Sequence, residues 1–355
     1  MSLTVISFTE KGITLSEKLK EIWEDEDISL FTKCRASLEK KTDCSVCFVD
    51  PELESFVRGQ MEEKNGLLFI GACGIAVRAI APVIRNKLCD SPVLVMDEKG
   101  SYVIPILSGH MGGANELAER ISQKTGAVPV ITTATDINKK FAVDLFAKKN
   151  GLYIVNREGI ARVSAKVLAG EQITMSIETG HRRTEEKIPE EIRILEYPPR
   201  QPVDVVITAE ERSFAAVLLL KPREYVIGMG CRKGKEADKI ETLIFQTMDK
   251  LGISVCQLLA LASIEQKKEE KGFLDWSRKN NIPFLTYSSQ ELMELTGDFH
   301  SSAFVKKKVG VDNVCERAAL KACEPLGRLI YEKYAQDGMT IAAARREWRI
   351  KFDEK

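Results

Sequence analysis

The sequence predicts an α/β protein: two α/β domains with Gly-rich strand-end loops, joined by a small α+β middle module. Three observations carry this. Short apolar runs alternate with helix-period segments from residue 1 to about 150. The same rhythm returns after 223. In each half one apolar run empties into glycines just ahead of a helix pattern, as LSGHMGGANELA from Leu107 and as YVIGMGCRKG from Tyr225. The domains read from this are 1–150, 151–222 and 223–355.

Taken in order, LTVISF at 3–8 is a first strand, and 14–24 an amphipathic helix with Thr14 as its N-cap. Residues 28–31 make a second strand, while 45–49 fits either a strand or a helix start. A helix over 53–62 stops at Asn65-Gly66, and the apolar strand 67–70 delivers Gly71-Ala72-Cys73-Gly74. Strands at 92–96 and 101–107 flank a turn at 97–100 and lead to the loop at 108. A helix then runs from 116, a strand from 127 ends in the Thr-rich tip before Asp136, and 139–149 is helical. From 152 to 222 short segments at 160–168, 173–177, 192–196 and 204–207 alternate with charged turns, and 178–190 reads as a surface loop. The terminal domain opens with the strand 225–229 and the helix 236–251, and a helix is expected over 314–323. Residues 341–346 read as a last helix before a polar tail.

Composition narrows the function classes. The 355 residues carry 52 acidic and 52 basic side chains, so no polyanion such as DNA or RNA is an evident partner. The most apolar run, 67–84, is broken by glycines, Arg78 and Pro82, so a membrane span is not expected. Nine cysteines, an odd number without a secretory leader, fit a reducing cytoplasm. Cys44 and Cys47 form a CxxC with no second half to complete a zinc set. GMGCRKG has the wrong spacing for a dinucleotide fingerprint, which disfavours a nicotinamide enzyme. Neither a P-loop, a G-x-S-x-G elbow nor HExxH occurs.

The two glycine loops are therefore the candidate sites. Backbone N–H groups of such a loop can form an anion-receptive nest at a helix start. Ser108, Gly109, Gly112, Gly113 and Asn115 make the first, with Thr132, Thr133 and Asp136 at the next strand tip. Gly228, Gly230, Arg232 and Lys233 make the second, with Glu265 after the following strand. A ligand bearing several carboxylates suits both. His110 is one of three histidines, a residue type whose unperturbed pKa lies near neutrality, and is the candidate catalyst, with Glu116 to orient it or act itself. Asp136 can equally be an N-cap, and Arg232 and Lys233 a solvated pair.

LSGHMGGANELA with GAVPVITTATD resembles the amino-terminal domain of the cobalamin-biosynthesis CbiG family, the cobalt-precorrin-5A hydrolases. YVIGMGCRKG, LASIEQKKEEKG, SSAFVKKKVGVDNVCERAAL and MTIAAAR resemble that family's carboxyl-terminal domain, and the polar middle its linking domain. The resemblance spans essentially the whole chain. It implies opening of the δ-lactone of a cobalt tetrapyrrole, with release of acetaldehyde, in the anaerobic route to vitamin B12. It further implies that the partner is a polycarboxylate macrocycle, that cobalt comes inside this substrate with no cofactor or metal site of the protein's own, and that product passes to other pathway enzymes. The alternative from another class is a non-catalytic corrinoid carrier.

Overall fold

A computed structural model describes residues 2–23, 27–35, 45–50, 52–85, 90–110, 112–138, 140–182 and 187–352, except the side chains of 303 and 304. Cys44 of the CxxC lies outside the described residues, as do Cys89 and Met111. The chain forms two compact units, Met1–Lys140 and Phe141–Lys355.

The first unit is built on a seven-stranded sheet of order β3-β2-β1-β4-β5-β6-β7. Its strands are β1 (Leu3–Ser7), β2 (Ile28–Thr32), β3 (Val46–Phe48), β4 (Gly66–Ile70), β5 (Val93–Met96), β6 (Tyr102–Leu107) and β7 (Val128–Pro129). The central strands β4 and β5 carry no polar side chain because both faces are covered. Leu68, Ile70, Leu94 and Met96 pack on one side with Ile13 and Leu19 of helix α1 (Glu10–Ile22) and Leu117 and Ile121 of α4 (Ala114–Thr125). Leu67, Phe69, Val93 and Val95 pack on the other with Val57 of α2 (Leu53–Glu62) and Ala76 of α3 (Cys73–Ile80). α1 starts earlier than expected: Thr9, not Thr14, is its N-cap, accepting from the Gly12 N–H at 3.1 Å.

Strand direction matters most for the site. β1 to β5 are mutually parallel, but β6 pairs antiparallel with β5, and β7 runs parallel to β6. The loop after β6 therefore lies beside the amino-terminal end of β5, where Leu107 pairs with Val93. It is a carboxyl-end loop only with respect to its own β6–α4–β7 crossover. The helix expected over 139–149 begins only at Val143, as α6 (Val143–Lys149), and a separate single turn, α5 (Ala134–Ile137), precedes it. α6 belongs to the second unit.

The second unit holds two five-stranded sheets. In the first, β9 (Ile173–Ile177), β10 (Ile192–Leu195), β11 (Val203–Ile207) and β12 (Ala216–Pro222) are parallel, with β8 (Leu152–Ile154) antiparallel at the edge. Helix α7 (Glu158–Leu168) buries Ile160, Val163 and Val167 against it. The second sheet has order β15-β14-β13-β17-β16, with β13 (Tyr225–Cys231), β14 (Leu258–Ile264), β15 (Phe284–Tyr287), β16 (Gly327–Gln336) and β17 (Met339–Arg346). Helices α8 (Ala237–Leu251) and α9 (Lys271–Asn280) cover one face. α12 (Val314–Lys321) and the short α10 (Ser289–Met293) cover the other, and α11 (Ala303–Val309) precedes α12.

One expectation is corrected here. The run at 341–346 is not a helix but the strand β17, inserted antiparallel between β13 and β16. Its alanines have high helix propensity, yet packing overrides it: Ala342, Ala343 and Ala344 are all fully buried. Trp348, Ile350 and Phe352 enter the core of the preceding sheet. His181 stacks on Trp348 at 3.8 Å and bonds its carbonyl through Nδ1 at 2.9 Å.

Candidate active site

The loop between β6 and α4 is a tight wrap. Ser108 sits at φ 58°, a left-handed conformation unusual for a side-chain-bearing residue, and Gly113 at φ 87°. The N–H groups of Ala114 and Asn115 donate back to the carbonyls of Ser108 and Gly109, each at 3.1 Å, and Gly113 N–H donates to His110 O. These three N–H groups are thus consumed inside the loop. The glycines have a steric reason. A Cβ on Gly109 would stand 2.7 Å from Asn115 Oδ1, and one on Gly112 would stand 2.3 Å from Ser108 Cβ. They let the loop close on itself, and that closure projects side chains.

What it projects is a hydrogen-bonded cluster. His110 Nε2 lies 2.7 Å from Asp136 Oδ2 and 2.9 Å from Thr135 Oγ1. Asn115 Nδ2 donates to the same Asp136 oxygen at 2.7 Å and to Thr133 Oγ1 at 3.0 Å. A carboxylate can only accept, so Nε2 carries the shared proton and Nδ1 is the basic nitrogen of the neutral ring. The His110 side chain is 13% exposed and that of Asp136 28%, enough for a ligand to reach and little enough for the pair to stay ordered. Asp136 lies inside α5, so it serves His110 and is not the N-cap of the following segment.

Four residues expected at this site, His110, Asn115, Thr133 and Asp136, are brought together, and Thr135 joins them. Ser108 contributes a buried Oγ with no hydrogen-bond partner among the described residues. Thr132 is exposed. Glu116 is exposed in the first turn of α4, and the carboxylate on His110 is that of Asp136 instead.

The second glycine motif is organised otherwise. Gly228 and Gly230 are not in a loop but within β13, under the start of α12. A Cβ on Gly228 would fall 1.9 Å from the Cys315 carbonyl oxygen, so this glycine exists for helix–sheet contact. The turn beyond carries its own anion: Glu270 Oε1 accepts from the Gly234 N–H at 2.9 Å, while Lys267 holds Oε2 at 2.6 Å. Arg232 and Lys233 are exposed, and Arg232 N–H donates to Gly338 O at 3.1 Å. Glu265 is exposed just past β14. Burial pushes the thiols of Cys315 and Cys323 up to about 12, so neither is a thiolate nucleophile near neutral pH.

His300, near a Gly-Asp turn, reads from the sequence as a surface residue and its side chain is exposed, but sequence reasoning missed Glu316, whose fully buried carboxylate bonds the imidazole. The signal was Asn313 three residues ahead of Glu316, an N-cap pattern that placed Glu316 in a first turn.

Open α/β sheets with a histidine–carboxylate pair on a strand-end loop define a multi-sheet α/β protein equipped for proton transfer. Family models fit the chain in sequence: Cobalamin synthesis G N-terminal at 55–136, Cobalamin biosynthesis central region at 141–222 and Cobalamin synthesis G C-terminus at 225–344. The chain is 33% identical over 330 residues to a cobalt-precorrin-5A hydrolase of Priestia megaterium, covering 89% of this chain and 87% of that protein. It is 30% identical over 352 residues to a cobalt-precorrin-5A hydrolase of Salmonella typhimurium, covering 96% of each. A solved structure of a putative cobalamin biosynthesis protein G homolog from Sulfolobus solfataricus is similar at 23% identity and TM-score 0.39, over 98% of this chain and 97% of that one. The chain belongs to the CbiG family of cobalamin-biosynthesis proteins. Among the described residues no helix is long and apolar enough to cross a membrane.

Proposed function

We propose that this protein hydrolyses the δ-lactone of cobalt-precorrin-5A and releases acetaldehyde to give cobalt-precorrin-5B. The observation that carries a catalytic reading over a carrier is the His110–Asp136 contact at 2.7 Å, braced by Asn115 and Thr135. A carrier needs shape and charge, not an imidazole held by a carboxylate. The relatives from Priestia megaterium and Salmonella typhimurium bear the hydrolase activity in their names, and the substrate is taken from them.

In the first step water bonds to the lactone carbonyl carbon, and the acyl–oxygen bond breaks to leave a carboxylic acid and a free hydroxyl. His110 takes the water proton and passes it to the departing alkoxide, and Asp136 steadies the imidazolium formed in between. In the second step the hydroxyl loses its proton, its C–O bond becomes the carbonyl of acetaldehyde, and the C–C bond to the macrocycle breaks. The electron pair stays on the conjugated ring. His110 is the base for this step as well. Cobalt is part of the substrate, and the protein supplies no cofactor.

The test is acetaldehyde release from the lactone intermediate under anaerobic conditions. Wild type releases it above the uncatalysed background, and His110→Ala and Asp136→Asn lower the rate by about 10²–10⁴-fold. Corrinoid bound without acetaldehyde from wild type would establish the carrier instead. Unchanged turnover in both variants would remove His110 from the chemistry.

A further inference from the structure

At the carboxyl end of β13, where α12 begins, lies a second histidine–carboxylate pair. Glu316 is fully buried, and both its oxygens are saturated. Oε1 accepts from the Lys333 N–H at 2.7 Å and from His300 Nδ1 at 2.9 Å. Oε2 accepts from the His300 N–H at 3.0 Å and from Asn313 Nδ2. The His300 carbonyl is held in turn by Asn313 Nδ2 at 3.1 Å and Lys333 Nζ at 3.3 Å. His300 is therefore tethered at its amide, its carbonyl and one ring nitrogen, yet its side chain is 58% exposed.

Sealing a carboxylate from water is costly unless donors surround it. A surface histidine needs no such anchor to be stable. What the anchor accomplishes is chemical: Nδ1 must be the donor, so the neutral ring presents the lone pair of Nε2 outward in a fixed direction. Only Glu332, itself 75% exposed and 3.7 Å away, stands before Nε2 among the described groups. An imidazole that gives its other N–H to a carboxylate is the usual arrangement of a metal-ligating histidine. Among the described residues no group of His, Cys, Asp or Glu completes a metal site of the protein's own. The metal this histidine suits is one that arrives with its other positions filled.

We propose that His300 Nε2 is an axial ligand to the cobalt of the tetrapyrrole substrate, with Glu316 as the positioning residue. The inference rests on the reading of the substrate as a cobalt tetrapyrrole. Lys333 and the exposed Lys306, Lys307 and Lys308 of α11 supply cations in this part of the chain for the ring's carboxylates. No bond of the substrate is broken here; the nitrogen lone pair enters the vacant axial position and Glu332 swings aside.

The experiment is electron paramagnetic resonance of the full-length protein with cobalt(II) cobinamide, a corrinoid with a free axial position. If cobinamide is not retained on ultrafiltration, the cobalt(II) lactone substrate replaces it. A nitrogen splitting of the cobalt lines is expected that changes its multiplicity when the protein is made with nitrogen-15 histidine. It persists in His110→Ala, disappears in His300→Gln, and in Glu316→Gln the affinity falls by about 10–100-fold. Because His300 is exposed, His300→Gln retains the fold by circular dichroism even where Glu316→Gln does not. Bound corrinoid without the splitting, or a splitting that survives His300→Gln, overturns the proposal. The acetaldehyde assay fails independently: release without the splitting sinks the ligation alone, and splitting without release sinks the hydrolase reading alone.

Discussion

The two glycine-rich strand ends look alike in sequence and are opposites in structure. After β6 the glycines fold a loop back on itself and set His110 against Asp136. In β13 the glycines lie flat in the sheet so that α12 can rest on it, and the turn beyond is neutralised by Glu270. The N–H groups of Gly113, Ala114 and Asn115 are taken up by carbonyls of the first loop, and that of Gly234 by Glu270. The difference teaches that a glycine reports a close approach without saying what approaches: a side chain in one case, a helix backbone in the other.

The largest expected effect breaks the comparison on the chemical side. His110→Ala or Asp136→Asn removes about 10²–10⁴-fold of acetaldehyde-forming activity while the urea midpoint stays near wild type. Gly228→Ala does the reverse. Its methyl cannot coexist with the Cys315 carbonyl, so stability falls by about 3 kcal/mol in urea unfolding as α12 is displaced. An activity loss in Gly228→Ala at unchanged stability would mean that β13 belongs to the site after all.

Glu270→Gln sharpens the account of the second turn. Glu270 is buried, and the exchange leaves the Lys267 ammonium without its countercharge, so urea unfolding should register a loss of about 2 kcal/mol. Ser108→Gly probes the first loop. Relief of the positive φ and removal of the buried hydroxyl outweigh the added chain freedom, raising stability by about 0.5 kcal/mol. A loss of stability would show that the hydroxyl is held by the loop.

The smallest effect is electrostatic. Lys235, hydrogen-bonded to Asp337 at 3.0 Å, and then Lys239 hold the Asp337 carboxyl below its ordinary 3.8. A carboxylate with a depressed folded pKa contributes stability above its unfolded value and loses it as pH falls through the folded one. The gap between wild type and Asp337→Asn in urea unfolding should therefore be small and constant at neutral pH, and close below 3.8. A gap that widens in acid would mean that another group is titrating.

The sequence by itself determined the α/β class, the buried strands of the first sheet and the loop that carries the histidine. Each of these is written locally: period-two or continuous apolar runs for strands, helix-period stripes between them, glycine where chain turns or packs closely. His110, Asn115, Thr133 and Asp136 were legible as residues at strand ends. Their partnership was not, because Asp136 stands 26 positions from His110 and only the β6–β7 pairing closes that distance. Only tertiary structure decided that β6 runs against β5, that three alanines of β17 form a strand, that Trp348 returns to an earlier sheet, and that Glu316 anchors His300. In each case the deciding quantity is non-local. Strand direction, burial of a small-residue run beneath a helix, and the choice of donor for a buried carboxylate are settled by groups far apart in the chain, where burial and hydrogen bonding outweigh local propensity.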